Sequence, residues 1–371
     1  MNKTVHVVCL DAPSPPDYGG AIDMYYKVKS LAAIGVKVIL HYYNYNENRN
    51  SNGLEGDCTE IDQYERKNIL QSFSTKLPYI IRSRINKQLI ARLNADDHPI
   101  ILEGLHCTGL IPYIKNNNRV VIRMHNEEAT YYRSLAAAEK NLLKKNYFLL
   151  ESQLLHKYQL QLKKDVTIAA LSYADLETFS SRYHLHKSHI IPCFIPWQSV
   201  EIKEGRGSYC LYHGNMSVAE NEKAAMWLIE NVFSKIEISF IIAGKYISKK
   251  IIDRISSYKN ITAFTDPPIN KINELVDNAH INVLPSMNTT GVKLKLLHSL
   301  LRGRFCVTNK QGIDGSGVQN GVILAEHPDE FIQIIKQLSE KEFTQEKMQE
   351  RQPILAIYNN IQNAEKLSAL L

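Results

Sequence analysis

The chain has 371 residues, more than one hydrophobic core usually organises, so its length predicts two domains. Hydrophobic residues make up 44% and charged residues 22% of the sequence, which is typical of soluble globular proteins and excludes a disordered chain. Most of the net charge of +6 arises in the first half, where residues 1–195 contain 24 Lys and Arg against 19 Asp and Glu.

The basic residues of that half cluster at 76–93 and again at 140–164. One interpretation is an ordinary solvated helix face. The other is an edge that meets anionic lipid headgroups or a phosphate-bearing molecule, with Lys144, Lys145, Lys163 and Lys164 as the contacts.

Membrane-spanning and secreted proteins are disfavoured by the apolar pattern. Charges interrupt every apolar window before it reaches the roughly 18 to 20 residues that span a bilayer. The short N-terminal apolar run predicts a first strand rather than a signal peptide. The six cysteines show neither a CxxC pair nor a zinc-binding spacing. We therefore expect a cytoplasmic protein without structural zinc.

Short apolar runs alternate with helix-length segments along the chain, a pattern typical of βα units around a parallel sheet. In the first half the predicted strands are 5–10, 36–43, 99–104, 119–124, 166–171 and 189–193. In the second half they are 209–214, 238–244, 260–264, 281–285, 304–309 and 321–325. The expected organisation is a domain at 1–195, a linker at 196–207, a domain at 208–352 and a last helix at 353–371.

Ligands of open parallel sheets bind at the carboxyl ends of the strands, so the residues after each predicted strand are the first candidates for a site. After the first strand, Gly19 and Gly20 open a helix and can expose backbone N–H groups to a ligand, unless they serve only a tight turn. His125 follows the strand 119–124. It could donate to a hydroxyl or transfer a proton, although lone histidines are often structural.

The second half contains a comparable helix entry after the strand 281–285. A loop of small residues leads into a helix that starts near Val292, and Lys293 and Lys295 follow. Free N–H groups and lysines at such a position can bind a diphosphate, and exposed lysines at an ordinary helix entry are the alternative. Including neighbouring loops, the candidates are Asn215, Lys245, Thr290, Gly291, Val292, Lys293 and Lys295.

Several familiar motifs are missing from the sequence. It contains no DxD pair for a metal-bound diphosphate, no GxGxxG, no P-loop and no GxSxG. Asp17, Glu103 and Glu127 flank strand ends but form no pair of defined separation, so no carboxylate nucleophile is assigned.

Five segments, taken in order, resemble the GT-B glycosyltransferases and within them the retaining, GT4-like enzymes (glycosyl transferases group 1). The matching segments are DYGGAIDMYYKVKSLAAIGVKV, RMHNEEATYYRSL, ALSYADLETF, LYHGNMSVAENEKAAMWLIENVF and TGVKLKLLHSLLRGRFCVTN. Together they extend over essentially the whole chain.

The resemblance implies two Rossmann-like parallel-sheet domains that face each other across a deep cleft. The first would bind the acceptor and the second a nucleoside diphosphate-sugar. The sugar would pass with retention to a hydroxyl of a glycan or lipid-linked acceptor in polysaccharide biosynthesis, without a cofactor or metal. An anionic membrane would be a peripheral contact, and no nucleic acid is expected because the basic residues lack a recognised binding module.

The resemblance also implies residue roles. His125 would be the catalytic residue that contacts the transferred sugar, and Gly20, beside Gly19, would lie near the donor. Gly291 and Val292 would offer N–H groups to the diphosphate, and the neighbouring lysines would add charge. The acceptor-side candidates are Asp17, Glu103, Asn126 and Glu127.

The sequence departs from the family in one respect. Two glutamates seven residues apart are common in the donor segment, the second binding ribose, and Thr290 and His298 stand there in this chain. Asn215 and Asn221 replace the usual arginine and lysine. A degenerate GT-B-like binding or scaffold protein is therefore the alternative, and a periplasmic-type solute receptor is disfavoured by the expected lack of a signal peptide.

Overall fold

The computed structural model describes residues 3–44, 48–72, 74–287 and 291–371. The chain divides into two compact units, residues 1–196 with 358–371, and residues 197–357. In the part of the chain that is described, no helix is both long and apolar enough to cross a membrane.

The first unit is built around a parallel sheet. Its strands are β1 (Thr4–Cys9), β2 (Lys37–Asn44), β3 (Cys58–Glu65), β4 (Ile100–Glu103), β5 (Val120–Met124), β6 (Thr167–Ala170) and β7 (Ser188–Ile190). Within the described residues these seven strands pair in the order β3-β2-β1-β4-β5-β6-β7, every pair parallel.

Helices cover both faces of that sheet. They are α1 (Gly19–Ala33), α2 (Ile69–Ser72), α3 (Tyr79–Arg82), α4 (Lys87–Leu93), α5 (Glu128–Ala138), α6 (Leu142–Gln161) and α7 (Tyr173–Ser181), with 3₁₀ turns at Leu105–Tyr113 and Asn117–Arg119. Consecutive strand residues such as Ile101 and Leu102 belong to different apolar clusters, one on each face. The strands are continuous apolar runs for this reason.

The second unit repeats the plan. Its strands are β8 (Cys210–His213), β9 (Phe240–Gly244), β10 (Ile261–Thr265), β11 (Ile281–Val283), β12 (Phe305–Thr308) and β13 (Ile323–Leu324). Its helices are α8 (Ala219–Asn231), α9 (Lys249–Ile255), α10 (Ile269–Asn278), α11 (Leu294–Arg302), α12 (Lys310–Ile313), α13 (Pro328–Ser339), α14 (Gln345–Gln349) and α15 (Gln352–Ile357), with a 3₁₀ turn at Phe233–Lys235. The described strands pair in parallel in the order β10-β9-β8-β11-β12-β13.

The last helix, α16 (Asn360–Ser368), returns to the first unit. Ala364 and Leu367 join the apolar cluster that includes Met24 of α1. The Asn360 side chain accepts from the Ile195 N–H at 3.1 Å and donates to the Ile195 carbonyl at 2.9 Å. The predicted C-terminal segment 353–371 is thus split between the units, with α15 in the second.

The predicted linker also differs from the structure. Residues 197–207 lie in the second unit. There Glu201 N–H donates to the Leu301 carbonyl, and Gly205 pairs with Phe343 through two backbone hydrogen bonds. Two Rossmann-like parallel-sheet units are confirmed. All the predicted strands are present, and β3 is an additional strand that the sequence did not indicate.

Candidate active site

A buried charged cluster lies where α1 meets the ends of β4 and β5. Lys27 Nζ lies 3.1 Å from Asp23 Oδ2 and 2.6 Å from Glu103 Oε1. Arg123 Nη2 lies 2.9 Å from Asp23 Oδ1, and all four side chains are buried. Two cations therefore balance two carboxylates, as burial of charge requires.

Both carboxylates of the cluster are ionised. Burial by itself would raise the pKa of Asp23, but Arg123 and Lys27 hold that pKa well below its usual value. Burial likewise opposes ionisation of Glu103, yet Lys27 and His125 lower the pKa of this carboxyl. The neighbouring charges outweigh the desolvation at both sites.

His125 is oriented by this cluster. Its Nε2 lies 2.8 Å from Glu103 Oε2. Because the ionised Glu103 can only accept, Nε2 must donate, which leaves Nδ1 as the acceptor whenever the imidazole is neutral. A Cβ on Gly20 would lie 3.7 Å from Nδ1 and only 3.0 Å from the Tyr18 ring. The structure therefore brings Gly20 and His125 together, and the lack of a side chain on Gly20 leaves room beside Nδ1.

The cluster contains residues of the types that bind metal ions. Ligand atoms of Asp23, Glu103 and His125 lie within 4.8 Å of one another, and these residue types bind divalent cations. However, Lys27 and Arg123 already contact the two carboxylates. The charge balance fits an internal ion-pair network better than a metal site.

The acceptor-side candidates differ in their partners and in their exposure. Asp17 pairs with Arg49 at 2.6 Å. Glu103 has no exposed surface and contacts His125, so it cannot touch an acceptor in this structure. Gly19 is exposed at the first position of α1, and Asn126 is half-buried.

Glu127 caps a helix. Its carboxylate accepts from the N–H groups of Ala129 and Thr130, from Gln159 at 3.0 Å and from the Tyr183 hydroxyl at 2.5 Å. These bonds lower the pKa of Glu127 despite its burial. An N-cap of α5 explains this residue more fully than an acceptor contact.

Glu128 is a residue that the sequence did not single out. It is the first residue of α5 and almost fully buried. Burial and the neighbouring Glu127 raise its pKa to about 8. Adjacent acidic residues are common at the start of a helix. The sequence therefore does not show that Glu127 is the N-cap while Glu128 is the buried carboxyl with the raised pKa.

Two loops of the second unit touch at the ends of β8 and β9. Gly214 N–H donates to the Ala243 carbonyl, and a Cβ on Gly244 would lie 1.7 Å from the Gly214 oxygen, so only glycine fits there. Asn215 Oδ1 accepts a hydrogen bond from Ser217 N–H at 2.9 Å. Lys245 is half-buried next to Gly244.

The start of α11 is the other predicted donor element. Gly291 has a φ of 66°, a left-handed conformation that favours glycine, and the half-buried Val292 follows it. Lys293 is the N-cap residue, and its Nζ donates to the Gly291 carbonyl at 3.0 Å. Thr290 lies outside the described residues.

Lys295 lies on the first turn of α11 and points into the unit. Its Nζ is 3.0 Å from the Tyr212 hydroxyl, 2.9 Å from Asn221 Oδ1 and 4.6 Å from the Tyr212 ring centre. Burial, followed by repulsion from Lys293, lowers the pKa of Lys295 to about 7. Its partners are neutral, and no ion pair to a carboxylate is found for it among the described residues.

His298 is not placed to contact a ribose. It is nearly fully buried, stacks on Trp197 with ring centres 4.5 Å apart and meets His213 edge-on at 5.4 Å. The histidine that stands where the family commonly has a glutamate therefore packs against aromatic side chains inside the unit. The sequence gives no sign that Trp197, about a hundred residues earlier, is the partner.

Two parallel-sheet units with polar sites at their strand ends define the GT-B class of fold. In addition, residues 207–341 match the family model described as Glycosyl transferases group 1. The match and the fold identify a glycosyltransferase, as the sequence predicted, and the GT4-like subgroup stays a prediction.

Known proteins resemble the chain over nearly its whole length. An uncharacterized 44.6 kDa protein of the cps region of Klebsiella pneumoniae is 26% identical over 354 residues, 88% of each chain. Sucrose-phosphate synthase from Thermosynechococcus elongatus has a TM-score of 0.71 at 11% identity and covers 99% of this chain and 98% of its own.

Two further solved structures contain bound nucleotide. Anabaena HepE, in complex with UDP and glucose, has a TM-score of 0.66 at 11% identity, covering 99% of this chain and all of its own. A mutant of S. aureus TarM, in complex with fondaparinux, alpha-GlcNAc-glycerol and UDP, has a TM-score of 0.63 at 12% identity, covering 99% of each chain. At these identities the likeness establishes the fold alone.

Proposed function

We propose that the chain transfers a sugar from a nucleoside diphosphate-sugar to a hydroxyl of a glycan or lipid-linked acceptor, with retention and without a metal. The observation that supports this most is Lys295, a half-buried ammonium with neutral partners at the start of α11. Among the described residues no carboxylate lies within ion-pair distance of Lys295, although Glu220 attracts it from farther away, and a diphosphate would supply a direct partner.

The donor diphosphate is proposed to bind at the first turn of α11. Helix N-termini attract anions through free N–H groups and the helix dipole, and Lys293 lies beside Lys295. Gly291 and Val292 remain the proposed N–H donors, with Asn215 and Lys245 as proposed contacts from the neighbouring loops. HepE and TarM were solved with UDP, which makes a uridine diphosphate-sugar the first donor to test.

The transferred sugar is proposed to contact His125 Nδ1. Since Glu103 fixes the proton on Nε2, Nδ1 would accept a hydrogen bond from a sugar hydroxyl rather than donate one. Gly20 would let the sugar approach this nitrogen. Glu103 is then a positioning residue, because it acts through the imidazole.

Departure of the nucleoside diphosphate is the step that needs electrostatic help. The lysines and the helix N-terminus would stabilise the negative charge that develops on the leaving group. A metal would not be required, and EDTA is expected to leave the initial rate unchanged. Retention is proposed on the resemblance to the GT4-like enzymes.

The acceptor is proposed to belong to surface-polysaccharide synthesis. The relative from Klebsiella is named for its cps region, and the TarM complex holds a sugar-glycerol conjugate. A growing glycan on a lipid carrier at the cytoplasmic face of the membrane would fit these observations.

A panel of UDP-, GDP- and ADP-sugars tests the proposal. We expect one nucleotide-sugar to raise the melting temperature and to be consumed in the presence of acceptor extracts. The alternative, a binding or scaffold protein, is favoured by the burial of His298, which removes the implied ribose contact. It predicts a melting shift without consumption, and no response to any donor would contradict both.

A further inference from the structure

A buried arginine holds residues 11–18, which lie between β1 and α1. Arg49, a few residues after β2, is 8% exposed, and its Nη1 lies 2.6 Å from Asp17 Oδ1. Its Nε and Nη2 donate to the Ala12 carbonyl at 3.2 and 3.1 Å, and Nη2 also donates to the Pro15 carbonyl at 2.8 Å. One planar guanidinium therefore binds this segment at both of its ends, which a flexible ammonium could not do.

Arg49 also contacts the last residue of the segment. Its guanidinium carbon lies 4.8 Å from the centre of the Tyr18 ring, within the range of a cation–π contact. The Tyr18 hydroxyl donates to Asp11 Oδ2 at 3.1 Å, and Arg49 Nε lies 3.3 Å from the same oxygen. The ring is thus held both through its face and through its hydroxyl.

The ring that is held in this way borders the space over Gly20. A Cβ on Gly20 would lie 3.0 Å from Tyr18 Cε2 and 3.7 Å from His125 Nδ1. An aromatic edge and an imidazole nitrogen therefore lie close to the same point, and Tyr18 is only half-buried. A sugar offers apolar C–H groups as well as hydroxyls, and ligand sites commonly combine aromatic walls with a few polar groups.

We propose that the Tyr18 ring is the apolar wall of the sugar site beside His125 and that Arg49 is the positioning residue that holds it, an assignment that rests on the proposed transfer. The C–H groups of the sugar would pack on the ring while one hydroxyl donates to Nδ1. Without Arg49, the ring and residues 12–17 lose their shared partner, and the sugar loses a fixed wall.

Calorimetry with the UDP-, GDP- and ADP-sugars of the panel, and with UDP, GDP and ADP alone, tests the contact. Tyr18→Leu should weaken binding of the preferred nucleotide-sugar about tenfold, because the aromatic wall is lost. The affinity for the matching nucleoside diphosphate should not change, because the ring contacts only the sugar. Tyr18→Phe keeps the ring and should bind both as the natural chain does.

Arg49→Ala tests the positioning role. It should lower kcat about 10- to 100-fold, and millimolar guanidinium should restore part of the rate where sodium chloride does not. The double variant with Tyr18→Leu should be no slower than the slower single variant, because Arg49 acts through the ring. Arg254→Ala is the matched control, since Arg254 lies 5.5 Å from the Tyr258 ring centre in the second unit and should keep the natural rate.

Equal melting temperatures would show that the variants fold. Undiminished sugar binding by Tyr18→Leu, or an equal loss for the nucleoside diphosphate alone, would overturn the proposed wall while leaving the transfer standing. Losses that multiply in the double variant would overturn the role of Arg49. A natural chain that binds and consumes no donor would instead overturn the transfer, and the sugar wall with it.

Discussion

The two units differ in how they treat charge at their strand ends. In the first, Asp23 and Glu103 are matched by Lys27 and Arg123, so the cluster is complete by itself. In the second, the hydrogen-bond partners of the half-buried Lys295 are neutral, and Lys293 and Glu220 act on it from farther away with opposite signs. A balanced cluster suits the rigid positioning of His125, whereas an unbalanced cation suits the binding of an anion. Four predictions test this contrast, the first three in order of decreasing expected effect.

Arg123→Met should have the largest effect because it leaves Asp23 buried without its principal partner. We expect the free energy of unfolding of the first unit to fall by about 3–5 kcal/mol. Urea denaturation measures it. Arg254→Met is the control, since Arg254 forms an exposed pair with Glu230 and should cost less than about 1 kcal/mol. Similar losses in both variants would argue against a balanced cluster.

His125→Ala should lower kcat about 100-fold or more while donor affinity changes little. The reason is that the proposed contact is the sugar and not the nucleotide. Initial rates with the active donor and calorimetric binding of the nucleotide separate the two quantities. His186→Ala, at an exposed histidine, should leave both unchanged. If affinity and kcat fell together, the proposed position of the sugar would be wrong.

Lys295→Met should weaken binding of the nucleotide-sugar about 10- to 100-fold. The natural chain should also lose affinity as pH rises through about 7, because Lys295 must be protonated to pair with the diphosphate, and an anion raises its pKa. Calorimetry above pH 7 should detect proton uptake in the natural chain.

The Lys295→Met variant should bind without this pH dependence. Lys249→Met, at an exposed lysine of α9, is the control and should behave as the natural chain. A pH-independent affinity in the natural chain would mean that the diphosphate binds elsewhere.

Glu128→Gln should change the free energy of unfolding by an amount that depends on pH. The pKa of Glu128 is about 8 in the folded chain, against an ordinary value near 4.5, so the unfolded chain releases the proton first and stability falls between these values as pH rises. Glutamine removes this loss. We expect the variant to be more stable than the natural chain at pH 8, by up to roughly 4 kcal/mol, and almost equally stable at pH 4.5. Denaturation midpoints at both pH values check it.

The strands were predictable because parallel strands covered on both faces are apolar throughout, as in β5. The exception, β3, is an edge strand of mostly polar residues in which Tyr64 is the buried side chain, so it lacks that signal. The domain boundaries were harder to predict from the sequence, because α16 joins the first unit through contacts between residues that lie far apart along the chain.

The positions of Gly20 at the start of α1 and of His125 after β5 could be predicted from the strand pattern, whereas their roles stay predictions. Pairing between residues that are far apart in the sequence could not be predicted. Asp23 and Arg123, for example, are a hundred residues apart. A usable signal was nevertheless present, since Asp23 and Lys27 stand one turn apart on the buried side of α1. Charged residues at core positions of a helix indicate partners inside the fold.

The return of α16 also has a consequence for the order of folding. Residues 197–357 are continuous, so the second unit can complete its core as soon as it leaves the ribosome. The first unit, although its first 196 residues are synthesised earlier, lacks the cover for α1 and the Asn360 bonds to Ile195 until residues 358–371 emerge. We therefore expect that deletion of residues 358–371 would expose apolar surface on the first unit and leave the second intact.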